Sequence, residues 1–257
     1  LRVYGAAGSA LEDLDFLRWF PSLTRLSIDL PGLGDLGFLE KFSGNLEYLN
    51  IDRTVTRIDL ARIPARGLRG LRLVNHERGL QSLLQANQSL RSLALWKYRA
   101  ALALTLGSVR DRSALGDFER LRLLVLRGVR GFEELDFLPR LKVLEWLWVE
   151  TVKLHTLPSL RKHRSLVRVD LDGIRTLRPD MIVAVSEAPN LTELVVNGGR
   201  LTPADFGILT GHPTLLATRI SLGSLRRNDE LARLLPNQQQ PRTHSDFARS
   251  SGIELAI

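Results

Sequence analysis

A six-residue pattern of apolar and polar positions recurs along most of the chain. LTRLSI begins at Leu23, LEYLNI at Leu46, LRGLRL at Leu68, LRSLAL at Leu90 and LRLLVL at Leu121. LKVLEW follows at Leu141, LVRVDL at Leu166, LTELVV at Leu191 and a degraded LLATRI at Leu215. Leu1 and Val3 fit the second half of an earlier unit. In each hexapeptide the last two apolar residues alternate with outward-pointing ones, the period of a strand buried on one face. Leu26 with Ile28, Leu49 with Ile51, and Leu93 with Leu95 should therefore point inward. Successive starts lie 23, 22, 22, 31, 20, 25, 25 and 24 residues apart, which is short for a full crossover helix between neighbouring strands. The pattern predicts parallel strands stacked into one curved sheet, each buried Leu or Ile contributing roughly 1.5–3 kcal/mol.

The triplet and its spacing resemble the leucine-rich-repeat superfamily across nearly the whole chain. The resemblance implies an α/β solenoid, a horseshoe with a parallel concave sheet and short helices or 3-10 segments on its convex side. About nine to ten units would span 1–227, with a C-terminal cap over 228–257 to cover the open core. The sequence departs from the family at the ninth repeat position, where an Asn often satisfies loop backbone groups. Here stand Pro31, Thr54, His76, Tyr98, Val129, Val149, Ile174 and Gly199, which suggests an irregular, bacterial-type array.

Between strands, LDFLRWFPSL, LGFLEKFSGNL and LDFLPRL fit one- or two-turn helices or 3-10 segments. Thr202, Pro203 and Gly211 mark a later helix start and stop, and Pro179 opens another. The extra residues 100–117 are expected as an extended convex helix, with a functional loop as the alternative. In the tail, Asn228 to Leu235 reads as a helix, PNQQQPRTHS as a polar loop and IELAI as a last strand.

The register also names the concave side chains. Trp96, Leu123, Val125, Val143 and Leu147 form an apolar patch on adjoining strands, with Trp148 near its edge. Contiguous apolar patches mark interaction sites, and Trp and Arg are enriched in interface hot spots. Tyr48, Arg72, Arg127 and Glu145 complete the candidate partner-binding set. A register slip in the seventh unit, burying Trp148 or Leu147, would remove part of this patch; coverage by the long insertion would hide it. The expected function is non-enzymatic recognition of another protein on the concave face, in an effector, toxin-immunity or scaffold role.

Composition narrows the alternatives. Of 257 residues, 44% are hydrophobic and 25% charged, a folded composition, and the net charge is +8. That charge favours acidic partners, nucleic acid included. However, Asp29, Asp52, Glu145, Asp170, Asp172 and Glu193 fall on or beside the concave face, leaving the excess Arg for loops and the convex side. A groove tracking phosphates would carry a basic stripe instead. Nucleic-acid binding through a basic convex surface therefore stays an alternative, as does the recognition part of a larger enzyme.

No Cys is present, so disulfides, thiolate zinc sites and cysteine nucleophiles are excluded. A cytoplasmic location is the expectation. No run of about 18 apolar residues suggests a membrane span. The sequence begins at Leu1, so a trimmed or processed form is expected and a preceding domain is left open.

Gly32, Gly34 and Gly37 spell GxGxxG, with Asp52 twenty residues after the first. Dinucleotide sites use such glycines and such an acid, but too few residues follow for the required helix, and turn glycines explain them. The five His residues form no zinc-ligand spacing, and His76 is expected to be a solvated rim residue. His244, Ser245 and Asp246 are consecutive, whereas a catalytic triad converges from separate elements. No cofactor and no metal are expected.

Overall fold

The computed structural model describes residues 1–5, 14–42, 45–52, 58–63, 67–74, 76, 78–96, 112–129, 132–235 and 239–253, with the side chains of 41–42, 96 and 112–114 left aside. Among the described residues, ten strands make one parallel sheet in chain order. They are β1 (Arg2–Tyr4), β2 (Arg25–Asp29), β3 (Tyr48–Ile51), β4 (Gly70–Val74), β5 (Ser92–Trp96), β6 (Leu123–Arg127), β7 (Trp146–Glu150), β8 (Arg168–Asp172), β9 (Glu193–Asn197) and β10 (Ala217–Ser221). Leu1 and Val3 thus belong to a genuine first unit, with Val3 beside Ile28.

Inward residues stack as ladders. Leu26, Leu49, Leu71, Leu93, Leu124, Leu147, Val169 and Leu194 are registered neighbours, and all lie in one continuous core. Because a strand alternates faces, placing one rung inside places the whole strand.

Register corrects one expectation. The seventh strand begins at Trp146, three residues later in the repeat than LKVLEW implies, pairing Leu123 with Trp146 and Leu124 with Leu147. Leu144, Leu147 and Val149 supply its core positions and are buried. Val143 falls on the turn before the strand and is exposed.

The convex returns are short. They comprise 3-10 turns at Asp15–Trp19, Gly37–Phe42, Leu60–Arg62, Arg112–Asp117, Leu138–Arg140 and Pro203–Leu209, with α1 (Leu80–Ala86) and α2 (Pro179–Ser186) among them. Thr202 and Pro203 open a 3-10 turn rather than the expected α-helix, its start fixed by the Asp205 carboxylate accepting from the Thr202 backbone N–H. Of the extra residues 100–117, Arg112–Asp117 is a 3-10 turn and 100–111 lie outside the described residues. At the far end α3 (Leu225–Leu234) lies beside Pro203–Leu209, and Leu231 and Leu235 join the main core. The chain then continues to α4 (His244–Ser250).

One residue before the ninth repeat position, four neighbouring units leave the sheet through a left-handed residue directly after the strand. Gly128, Gly173 and Gly198 have φ of 64°, 62° and 117°, and Thr151 takes the same place with φ 54°. A β-branched residue is strained there, and glycine is not.

Candidate recognition site on the concave face

Outward residues of β5 to β10 form rows across the sheet. One row runs Ser92, Leu123, Trp146, Arg168, Glu193 and Ala217; the next runs Ala94, Val125, Trp148, Asp170, Val195 and Arg219. Trp146 and Trp148, two apart on β7, stack face to face, 5.8 Å between centroids and 2° from parallel. Apart from the exposed Arg219, this surface is buried. Residues 239–253 cross it as a strap, and Phe247, Ala248 and Ile253 pack with Ala94, Leu123, Val125, Trp146 and Trp148 into a second apolar cluster separate from the main core.

The strap is held at three places. Gln239 extends the sheet by one rung: its N–H donates to the Leu216 carbonyl (2.9 Å), and its carbonyl accepts from the Thr218 N–H (3.0 Å). In the middle, α4 starts at Thr243, whose hydroxyl accepts from the Asp246 N–H at 3.2 Å. Phe247, fully buried, meets Trp146 edge-on at 5.0 Å. His244 lies over Trp148 with 3.9 Å between ring centroids. Beyond α4, Arg122 forks onto Glu145 (2.6 and 2.7 Å) and also donates to the Ser251 and Gly252 carbonyls (2.7 and 3.2 Å). A cation suits carbonyls that a helix end leaves unpaired.

Between the first two anchors lies a buried ion cluster. Arg168 forks onto Asp170 (2.8 and 3.0 Å), donates to Glu193 (2.9 Å) and donates to the Arg242 carbonyl (2.8 Å). Arg242 in turn donates to Glu193, and the Trp146 indole N–H donates to Asp170. Side chains of Arg168 and Asp170 are each only 1% exposed. Burial pushes the Asp170 carboxyl upward, yet His244 and Arg168 outweigh it and hold that carboxyl below its ordinary value. The sheet alone contributes one cation and two anions here, and the strap's Arg242 brings the missing charge. Buried charges demand such pairing.

The predicted binding residues meet different fates. Leu123 and Val125 do lie on the concave face, but buried under the strap rather than exposed. Val143 and Leu147 do not line it: one is on a turn and the other in the core. Glu145 precedes β7 and holds Arg122. Arg127 is half-exposed and ion-paired with Glu150 at 2.8 Å. Trp96 pairs with Arg127 at the next strand, but its side chain lies outside the described residues. Arg72 is buried and donates to Asn50 (2.9 Å) and Asp52 (3.2 Å). Tyr48 carries Arg25 over its ring at 4.5 Å and helps line a cavity of about 130 Å³ with Arg69, Arg91, Arg122 and Ile253.

Sequence reasoning missed Trp146, Arg168, Arg242 and Phe247 as a unit. Even spacing was the available signal for Trp146. A unit starting at Leu144 begins 23 residues after Leu121 and 22 before Leu166, against 20 and 25 for Leu141.

The remaining motifs resolve plainly. Gly37 opens a 3-10 turn rather than a crossover helix, and Asp52 is ion-paired with Arg72. His76 is buried rather than solvated, its Nε2 3.1 Å from the Asp52 carbonyl. His244, Ser245 and Asp246 run consecutively along α4, His244 facing Asp170 while Asp246 accepts from Thr243. Among the described residues, no three His, Asp or Glu side chains stand together to hold a metal, and no helix is long and apolar enough to cross a membrane.

No sequence-family profile and no curated protein sequence matches the chain. Similar solved structures exist. Internalin C2 of Listeria monocytogenes superposes with a TM-score of 0.51 at 18% identity, over 77% of this chain and 80% of that one. The receptor kinase HAESA of Arabidopsis, solved with a peptide hormone and a co-receptor, superposes with a TM-score of 0.55 at 17% identity, over 86% of this chain and 38% of that one. The ten-strand parallel sheet with short convex returns is a leucine-rich-repeat solenoid. The likeness stands at the level of fold.

Proposed function

We propose that the protein is a non-enzymatic recognition module that holds a partner protein on its concave face. The observation that supports this reading is the cleft itself, which already seats a peptide segment by means that interfaces use: stacked Trp rings, a desolvated aromatic anchor and charge pairs of high complementarity. The peptide hormone in the HAESA structure is in keeping with the same use of the fold. The Listeria neighbour favours a bacterial source and, with it, an effector, immunity or scaffold role. Several outward arginines are already matched by acids, as in Arg140–Asp117, Arg161–Glu187 and Arg178–Asp180; these pairs weaken the case for a phosphate-binding convex surface.

A photo-crosslinking residue placed at Tyr48 on the concave side, or at the exposed Val183 of α2, tests the reading. Partner protein should be captured from Tyr48 and not from Val183. Equal capture from both, or capture from Val183 alone, refutes a concave docking face. Retention of duplex DNA that falls steeply with salt would replace protein by nucleic acid as the partner.

A further inference from the structure

Residues 239–253 are attached to the rest of the molecule as a ligand is attached to a receptor. The main core runs unbroken through the inward ladders and ends on Leu231 of α3 and Leu235 just after it. The strap contributes nothing to that core; its apolar residues belong wholly to the second cluster on the opposite side of the sheet. Apart from the single rung at Gln239, its anchors are side chains in pockets and carbonyls on Arg122 and Arg168.

The pockets define a chemistry. Arg168, Asp170 and Glu193 present one excess negative charge, which takes the guanidinium of Arg242. Five residues on, the Trp146 face takes Phe247, with the Arg168 and Arg242 guanidinium carbons 5.1 and 4.6 Å from its ring. Thr243 caps the helix between these two anchors, and Arg122 donates to the carbonyls at its far end.

Resting on the recognition reading above, we infer that this cleft is a receptor for short capped helices bearing an arginine five residues ahead of a phenylalanine. The strap is its resident occupant, and a partner segment of the same chemistry gains the cleft by displacing it. Partner binding is then a competition between an external helix and an internal one at high effective concentration. The affinity observed in the intact chain is lowered in proportion to the small fraction of molecules with the cleft open.

The test uses the whole chain with a specific protease site replacing residues 236–238, cut after folding. A fluorescent peptide of sequence 239–253 is incubated to equilibrium with cut and uncut protein. The cut chain should keep its circular dichroism and take up the peptide, and the uncut chain should take up at least ~10-fold less at the same concentration. Peptides carrying Phe247→Ala or Arg242→Ala should bind the cut chain roughly 100-fold more weakly. Unfolding on cutting would overturn the proposal, since the strap would then be part of the fold. So would absence of exchange, or equal uptake of the three peptides. A chain that exchanges no peptide but still captures a protein at Tyr48 would overturn the cleft's ligand class and leave concave recognition standing.

Discussion

Replacing Arg168 by Met removes the guanidinium at the centre of the buried ion cluster while keeping an unbranched stem. Asp170 and Glu193 lose their shared fork, and both are nearly inaccessible to water, with side-chain exposures of 1% and 6%. Removing one partner from a buried charge pair costs about 3–5 kcal/mol, because the remaining charge is left desolvated. The cost falls first on the strap, since its release lets water reach both carboxylates. The assay is therefore native-state hydrogen exchange at the amides of Phe247 and Ile253, which donate to the Thr243 and Ala248 carbonyls. Near neutral pH their protection should drop by a factor of roughly 150 to 5000, the equivalent of that penalty.

The pH dependence is weaker in the variant than in the native protein. In the native protein the Asp170 carboxyl lies below its ordinary value of 3.8. Its contribution is present above that value and lost as pH falls through the lower folded one. In the variant Arg168 no longer helps His244 to offset burial, so the Asp170 carboxyl rises from its native position and less stability is lost on acidification. The ratio between native and variant protection therefore shrinks as pH falls. A ratio near one at neutral pH, or one unchanged by acidification, would refute the assignment of the cluster as the strap's anchor.

Three further outcomes follow from other parts of the molecule. Leu126→Ala removes a fully buried rung of the main core and should cost about 2–5 kcal/mol of global stability in denaturant titration, unlike changes in the strap. Thr151→Gly relieves a β-branched residue at φ 54° and should raise stability by about 1 kcal/mol, while Gly173→Thr should lower it. Burial holds the pKa of His163 below 6.5, so its contribution is undiminished above that value and lost as pH falls from there toward the folded one. His163→Leu should therefore show a flatter stability profile than the native chain between about pH 7 and 5.

The sheet was legible because its determinants are local and repeated: each hexapeptide declares which face is buried, and eight in-phase statements overrule a single poor one. The seventh unit was misread because LKVLEWLWV contains two overlapping frames, starting at Leu141 and at Leu144. Only the second places Leu147 and Val149 at the core positions and turns Trp146 and Trp148 outward. The convex side was less legible. Thr202 and Pro203 signal a helix start equally well for an α-helix and a 3-10 turn, and the short return between β9 and β10 is a 3-10 turn.

The strap had no local signature. PNQQQPRTHSDFARSSGI is polar, with Phe247, Ala248 and Ile253 at no helical or strand period, and its partner Trp146 lies a hundred residues earlier. What the sequence does contain is a charge imbalance, visible once strand register is fixed. Arg168, Asp170 and Glu193 fall on adjacent outward positions of β8 and β9, two carboxylates to one guanidinium beside a pair of Trp rings. An aromatic surface and an uncompensated acid cannot both be dry unless a cation joins them. A sheet face with that composition therefore calls for an outside residue, and the chain answers with Arg242. The same logic makes the cleft selective: an apolar helix without the arginine would bury the extra carboxylate unpaired, and a basic one without the phenylalanine would leave Trp146 wet.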